Sequence, residues 1–198
     1  MTDTAEIQEH PATGFDVEAW LQDAKMPEES TDVYQRADVI GELSALRRQI
    51  ELQHEAAAGA ERSAGDTDEL ATLVKRYDEL VRTFAGSQLT IFTRALGPDE
   101  RKAAREVNEK RNEGKAPDEV NRDFGYVLLS MSIIAVTPFE GERTPVSWSP
   151  ELVRKMENTI GGTQMSAVLD AHRLAQNKLP EVDADFLHRL SGEDAGQG

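Results

Sequence analysis

Two apolar stripes of matching helical period, separated by a short polar loop, constrain this chain more than any other feature. Val39, Leu43, Leu46 and Ile50 fall at spacings of four, three and four, with Ile40 and Arg47 beside them. Leu70, Leu73, Tyr77, Leu80 and Phe84 repeat the pattern, and Val74 and Val81 widen this second stripe. Residues so spaced share one face of an α-helix, and such a face must be covered to leave water. The segment between them, Gly59 to Asp66, is polar and short. The product is an antiparallel helical hairpin in which each stripe covers the other. Asp38, just ahead of the first stripe, is placed to cap the first helix through a free backbone N–H.

What flanks the hairpin follows from its geometry. Thr31-Asp32-Val33-Tyr34-Gln35-Arg36 and Ser87-Gln88-Leu89-Thr90-Ile91-Phe92-Thr93-Arg94-Ala95 are rich in β-forming residues. A hairpin leaves and returns at one end, so these two segments meet there as antiparallel strands. Upstream, Phe15, Val17, Trp20 and Leu21 have the spacing of a short amphipathic helix closed by Met26-Pro27. Residues 1–14 lack apolar periodicity and are expected to be disordered.

The second half reads as helical. Gly97-Pro98-Asp99-Glu100 opens a charged, exposed helix reaching Lys110, because proline and acids suit a first turn. After a break at Asn112 to Pro117, a helix carries Val120, Phe124, Val127, Leu128, Met131 and Ile134, with Leu129 and Ile133 on its flank. Thr137 to Ser147 is expected to be a loop. Ser149-Pro150-Glu151 caps a helix through Met156, stopped by Gly161-Gly162. A final helix holds Met165, Val168, Leu169, His172 and Leu174 to Lys178, and Pro180 ends it. The expected fold is mainly α. It comprises a disordered lead-in (1–14), a helical hairpin with a small two-stranded antiparallel β element (15–98), a helical region (99–180) and a flexible tail (181–198).

Charge and composition then exclude function classes. The formal net charge is −15, which opposes nucleic-acid and anionic-membrane binding, since both need concentrated basic surface. There is no cysteine, so disulfides and thiolate chemistry are excluded. Met1 to Pro11 lacks the apolar stretch of a signal peptide. The longest apolar-rich run, Phe124 to Val136, is interrupted by Gly125, Ser130 and Ser132 and falls short of the roughly 20 residues a membrane span needs. The expected location is the cytoplasm.

Motifs of catalysis are missing as well. His10, His54, His172 and His188 have no metal-binding companion at i+3 or i+4, and no Walker loop, zinc-protease motif or nucleophile elbow occurs. Gly161-Gly162-Thr163 reads as a helix stop followed by a Thr163 N-cap. Asp183 and Asp185 read as solvated tail carboxylates, and Asp16, Glu18 and Asp23 as the wet face of the first helix. Trp20 and Trp148, near helix boundaries, read as packing anchors. No catalysis, metal or cofactor is expected.

Three stretches resemble one family: the tail assembly chaperones of long-tailed bacteriophages and prophages of actinobacteria. They are Phe15-Asp16-Val17-Glu18-Ala19-Trp20-Leu21 with Ala24 and Pro27-Glu28; Val33-Tyr34-Gln35-Arg36-Ala37-Asp38 running into Glu42-Leu43 and Leu46; and Leu89-Thr90-Ile91-Phe92-Thr93-Arg94-Ala95-Leu96 with Pro98-Asp99-Glu100. Residues 15–105 carry this resemblance, with the charged hairpin between the second and third stretches. The resemblance implies a non-catalytic protein that coats the tape measure protein, keeps it soluble while tail-tube subunits polymerise, and is absent from the mature virion. The tail tube protein and further copies of the chain are the other partners it suggests.

A tape measure protein is a long helical rod, and covering its stripes takes complementary grooves in many copies. Such a groove is expected in the second half, bordered by Tyr126, Met131 and Ile133; methionine suits it by adapting to varied partners. Two other readings compete: a structural virion component (minor tail or head–tail connector protein), and an acidic regulator masking a basic DNA-binding surface.

Overall fold

A computed structural model describes residues 16–22, 24–59 and 64–178. The expectations for 1–14, for 181–198, and for Phe15, Asp23, Asp183 and Asp185 lie outside the described residues. The order of elements is α1 (Val17–Gln22), β1 (Glu28–Tyr34), a single 3-10 turn (Ala37–Val39), α2 (Ile40–Gly59), α3 (Ala64–Ala85), β2 (Gln88–Arg94), α4 (Pro98–Arg111), α5 (Pro117–Ser132), β3 (Ile133–Pro138), β4 (Thr144–Pro145), α6 (Pro150–Ile160) and α7 (Gly162–Asn177). The fold is mainly α, with a small antiparallel sheet.

The hairpin and its strands form as the spacing requires. α2 and α3 bury Val39, Leu46 and Leu80 between them, with Leu43, Leu73, Tyr77 and Phe84 packed around. β1 pairs antiparallel with β2, Tyr34 opposite Gln88 and Glu28 opposite Arg94. The hairpin is therefore a long excursion inside a two-strand connection. Asp38 does not cap α2. It sits within the 3-10 turn, and its carboxylate accepts from Arg36 Nε at 2.8 Å. The competing ion pair two residues away wins over the cap.

The sheet is larger than expected, running β1-β2-β3-β4. β3 and β4 fall where a helix end and a loop were expected. Ile133-Ile134-Ala135-Val136 continues the apolar spacing of α5, but its β-branched residues leave the helix at Ser132 and pair with β2. A register shift between Phe92 and Thr93 accompanies this pairing. It lets Ile133 and Val136, three residues apart, both reach the core.

That core lies between the sheet and the later helices: Val33, Ile91, Tyr126, Leu129, Ile133, Val153, Met165 and Val168. α7 lies across β1 and β2, and α5 and α6 pack beside it. The Gln164 side chain of α7 clips the backbone of β1: its Oε1 accepts from Tyr34 N at 2.6 Å and its Nε2 donates to Tyr34 O at 3.0 Å. α4, expected to be exposed, buries Ala104 and Asn108 against α5.

Helix ends follow their local chemistry. Pro98, Pro117 and Pro150 each open a helix, where a missing N–H costs nothing. Ser149 Oγ accepts from Leu152 N at 3.2 Å, the N-cap expected from sequence. Gly161, at φ 87°, ends α6 and caps α7 in a conformation that disfavours any side chain. Thr163 is thus inside α7, and the cap expected there belongs to Gly161.

Candidate functional site

The three residues expected to border a groove do not share an open surface. Ile133 is 2% exposed because it begins β3, which turns its side chain into the core beside Leu129 and Met165. Met131 is half-buried. Tyr126 is 7% exposed and donates its hydroxyl to Glu157. Burial pushes the Tyr126 hydroxyl pKa up, and the Glu157 carboxylate adds to this.

Open apolar surface lies elsewhere: on α1, on the hairpin, and at single positions of the later helices, Val107, Leu152 and Leu174. In α1, Val17, Trp20 and Leu21 are 53%, 60% and 57% exposed. Their i, i+3, i+4 spacing places them on one face. Asp16 caps this helix, its Oδ1 accepting from Glu18 N and Ala19 N at 3.0 and 3.1 Å. Trp20 is therefore not the packing anchor its residue type suggested, whereas Trp148 packs against the core. The hairpin, α2 and α3, carries the second group. Val74 and Val81, two turns apart on α3, are both exposed, as are Ile40 and Leu52 on α2. Arg76 ties the helices together through Glu42 at 3.0 Å. Tyr34 stacks on Phe84, ring centroids 4.2 Å apart, and anchors the hairpin's base to the sheet.

A cleft of about 350 Å³ opens between α5 and α6, lined by Lys115, Glu119, Arg122, Tyr126, Arg154 and Asn158. Beside it, and sharing Arg154 with its lining, is a polar knot around Asp123. Arg111 Nε, Asn112 Nδ2 and Arg154 Nη2 donate to that carboxylate at 3.2, 2.9 and 3.1 Å. Burial pushes the Asp123 carboxyl up, but Asn112, Arg111 and Arg154 outweigh burial and hold it below its ordinary value. Arg111 also pairs with Glu151 at 2.6 Å. That contact, aided by hydrogen bonds from backbone and from Ser149, brings Glu151 to about 2. Arg154 lies over the Tyr126 ring, 5.2 Å from its centroid. Of the three residues singled out from sequence, only Tyr126 reaches this cleft.

Among the described residues, no group of three or more histidine, aspartate or glutamate side chains is placed to hold a metal ion. No described helix is long and apolar enough to cross a membrane. Compared with family models, curated proteins and solved structures, the chain gives no match.

Proposed function

We propose that this chain is a tail assembly chaperone that binds the tape measure protein and keeps it soluble while the tail tube assembles. The observation that carries the reading is the exposed apolar surface of α1 and the hairpin, on elements within the stretch that resembles such chaperones. Val17, Trp20 and Leu21 on α1 and Val74 and Val81 on α3 are open to a partner. Anchors at i, i+3, i+4 and i+7 are the pattern by which one helix lies along another. A net charge of −15 keeps coated rods apart by mutual repulsion. The same surface, rather than the buried Tyr126 and Ile133 and the half-buried Met131, is the one to test.

The experiment is co-expression with the product of the longest open reading frame immediately downstream, followed by pull-down and a solubility assay. The wild-type chain should bring that protein into the soluble fraction and co-purify with it in many copies. The double variant Trp20→Asp, Val81→Asp should lose at least tenfold of the co-purified protein while its own unfolding midpoint stays unchanged, because both side chains are exposed. An insoluble, unbound long protein beside the wild-type chain would defeat the reading. So would recovery of this chain as a component of purified particles, which marks a structural virion protein.

A further inference from the structure

We propose that the cleft between α5 and α6 is a recognition site for a carboxylate side chain carried on a segment of a partner protein. The cleft is a local inversion of charge. The chain carries −15 overall, yet three cations and one acid line this opening: Lys115, Arg122 and Arg154 against Glu119.

The cations differ in what already holds them. Arg122 makes no hydrogen bond or ion pair within the protein among the described residues. Among the described residues, Lys115 Nζ donates only to the neutral amide of Asn112, at 2.9 Å. Arg154 is committed on one side alone: Nη2 is bonded to buried Asp123, and the guanidinium plane rests on Tyr126. An arginine fixed in this way has its remaining donors aimed at little cost in side-chain entropy. Arg122 and Tyr126, four residues apart on α5, face Arg154 and Asn158, four apart on α6. A planar acceptor between these walls can take paired N–H donors from a guanidinium, the geometry that favours carboxylate.

Two features select a single negative charge over a polyanion. Glu119 stands at the lining and Glu157 lies just behind the Tyr126 hydroxyl, so a second negative charge is opposed at close range. The charge of the whole molecule repels an extended polyanion such as nucleic acid. The volume is near the lower end of cavities that hold ligands, roughly 300–1,000 Å³, and admits a side chain with its flanking residues. This site is separate from the apolar surfaces of α1 and the hairpin and does not depend on them.

The test is an NMR titration of the full chain at low salt, following the Nε–H resonances of Arg122 and Arg154. Three probes are compared: a capped Leu-Ala-Glu-Ala-Leu peptide, its Gln analogue and inorganic phosphate. The Glu peptide should give saturable shifts at both arginines. The Gln analogue and phosphate should bind at least tenfold more weakly. Arg122→Gln, at an exposed position, should abolish saturation with its unfolding midpoint unchanged; Lys115→Gln should weaken it several-fold. Equal response to the Glu and Gln peptides overturns the proposal. Tighter binding of phosphate than of the Glu peptide also overturns it, by making the cleft a small-anion site. The absence of any saturable shift does the same.

Discussion

In the hairpin, Val39, Leu46 and Leu80 are the buried apolar residues, and each keeps a little exposure, from 4% to 9%. In the body formed by the sheet and α4–α7, Ile91, Val153 and Val168 are fully buried, and Leu129 is 1% exposed. The residue types are the same; the number of covered sides differs. A helix in the hairpin has one neighbour, so its outer apolar residues stay wet. In the body, α5 and α7 each meet sheet and helices together, although Val107, Leu152 and Leu174 on the outer sides of α4, α6 and α7 stay wet as well. The hairpin has surface to offer a partner because it has little core, and the body carries it because it has enough.

One substitution made in each region breaks or sharpens that contrast most. Leu129→Ala should cost about 3–5 kcal/mol, since the surrounding sheet and helices cannot collapse into the cavity. The whole chain should then lose its cooperative unfolding midpoint in guanidinium. Leu46→Ala removes the same atoms from a seam that water already reaches and that can close by a small helix shift. It should cost about 1–2 kcal/mol. Hydrogen exchange should locate that loss in α2 and α3 alone, with α7 amides still protected. Equal costs would mean that hairpin and body form one cooperative core.

The knot around Asp123 joins three elements of the body, α4, α5 and α6, with no counterpart among the described residues of the hairpin. Its folded carboxyl lies below the ordinary value of 3.8. The stability it contributes is therefore complete above that value and is lost as pH falls through the lower folded one. Glu151, at about 2, extends the same window downwards. Asp123→Asn should cost about 1–3 kcal/mol at pH 7, where it removes a charged acceptor from three donors. Urea melts at pH 7 and pH 3 should show the gap between variant and wild type narrowing on acidification. A constant gap would mean that Asp123 acts by shape alone.

The hairpin was legible because its stripes keep one period over many residues and cover each other locally. β1 and β2 were legible from Thr31 to Arg36 and Ser87 to Ala95, where β-forming residues cluster, although the strands run Glu28–Tyr34 and Gln88–Arg94 and Gln35 and Arg36 form a turn. β3 was not. Ile133, Ile134 and Val136 sit at positions that also extend the stripe of α5, and a short apolar run has no period of its own to decide between helix and strand. The β-branched pair Ile133-Ile134 was the available signal. Trp20 misled for another reason: indole is most often covered, and nothing in a sequence shows that the covering element is missing. The cleft was illegible in principle, because Lys115, Arg122 and Arg154 come together only once α5 packs on α6.

The smallest expected effect is also the most direct test of the contrast. Gln35 N donates to Ser87 O at 3.1 Å, so the chain leaves and re-enters the sheet through neighbouring residues. Replacing 36–86 by Asn-Gly would join β1 to β2 as an ordinary two-residue hairpin, a turn these strands' twist favours. Two ties to the body go with the deleted segment: the stack of Phe84 on Tyr34 and the bond from Arg36 N to Ser87 Oγ. An aromatic stack contributes about 0.5–1.5 kcal/mol beyond its area. The shortened chain should therefore unfold cooperatively within about 1 kcal/mol of the parent, with Trp148 fluorescence native-like. It should bind the Glu peptide at the α5–α6 cleft unchanged and lose the long helical partner. If it fails to fold, the hairpin is part of what holds the sheet together, and its exposed valines cannot be treated as surface held in reserve for a partner.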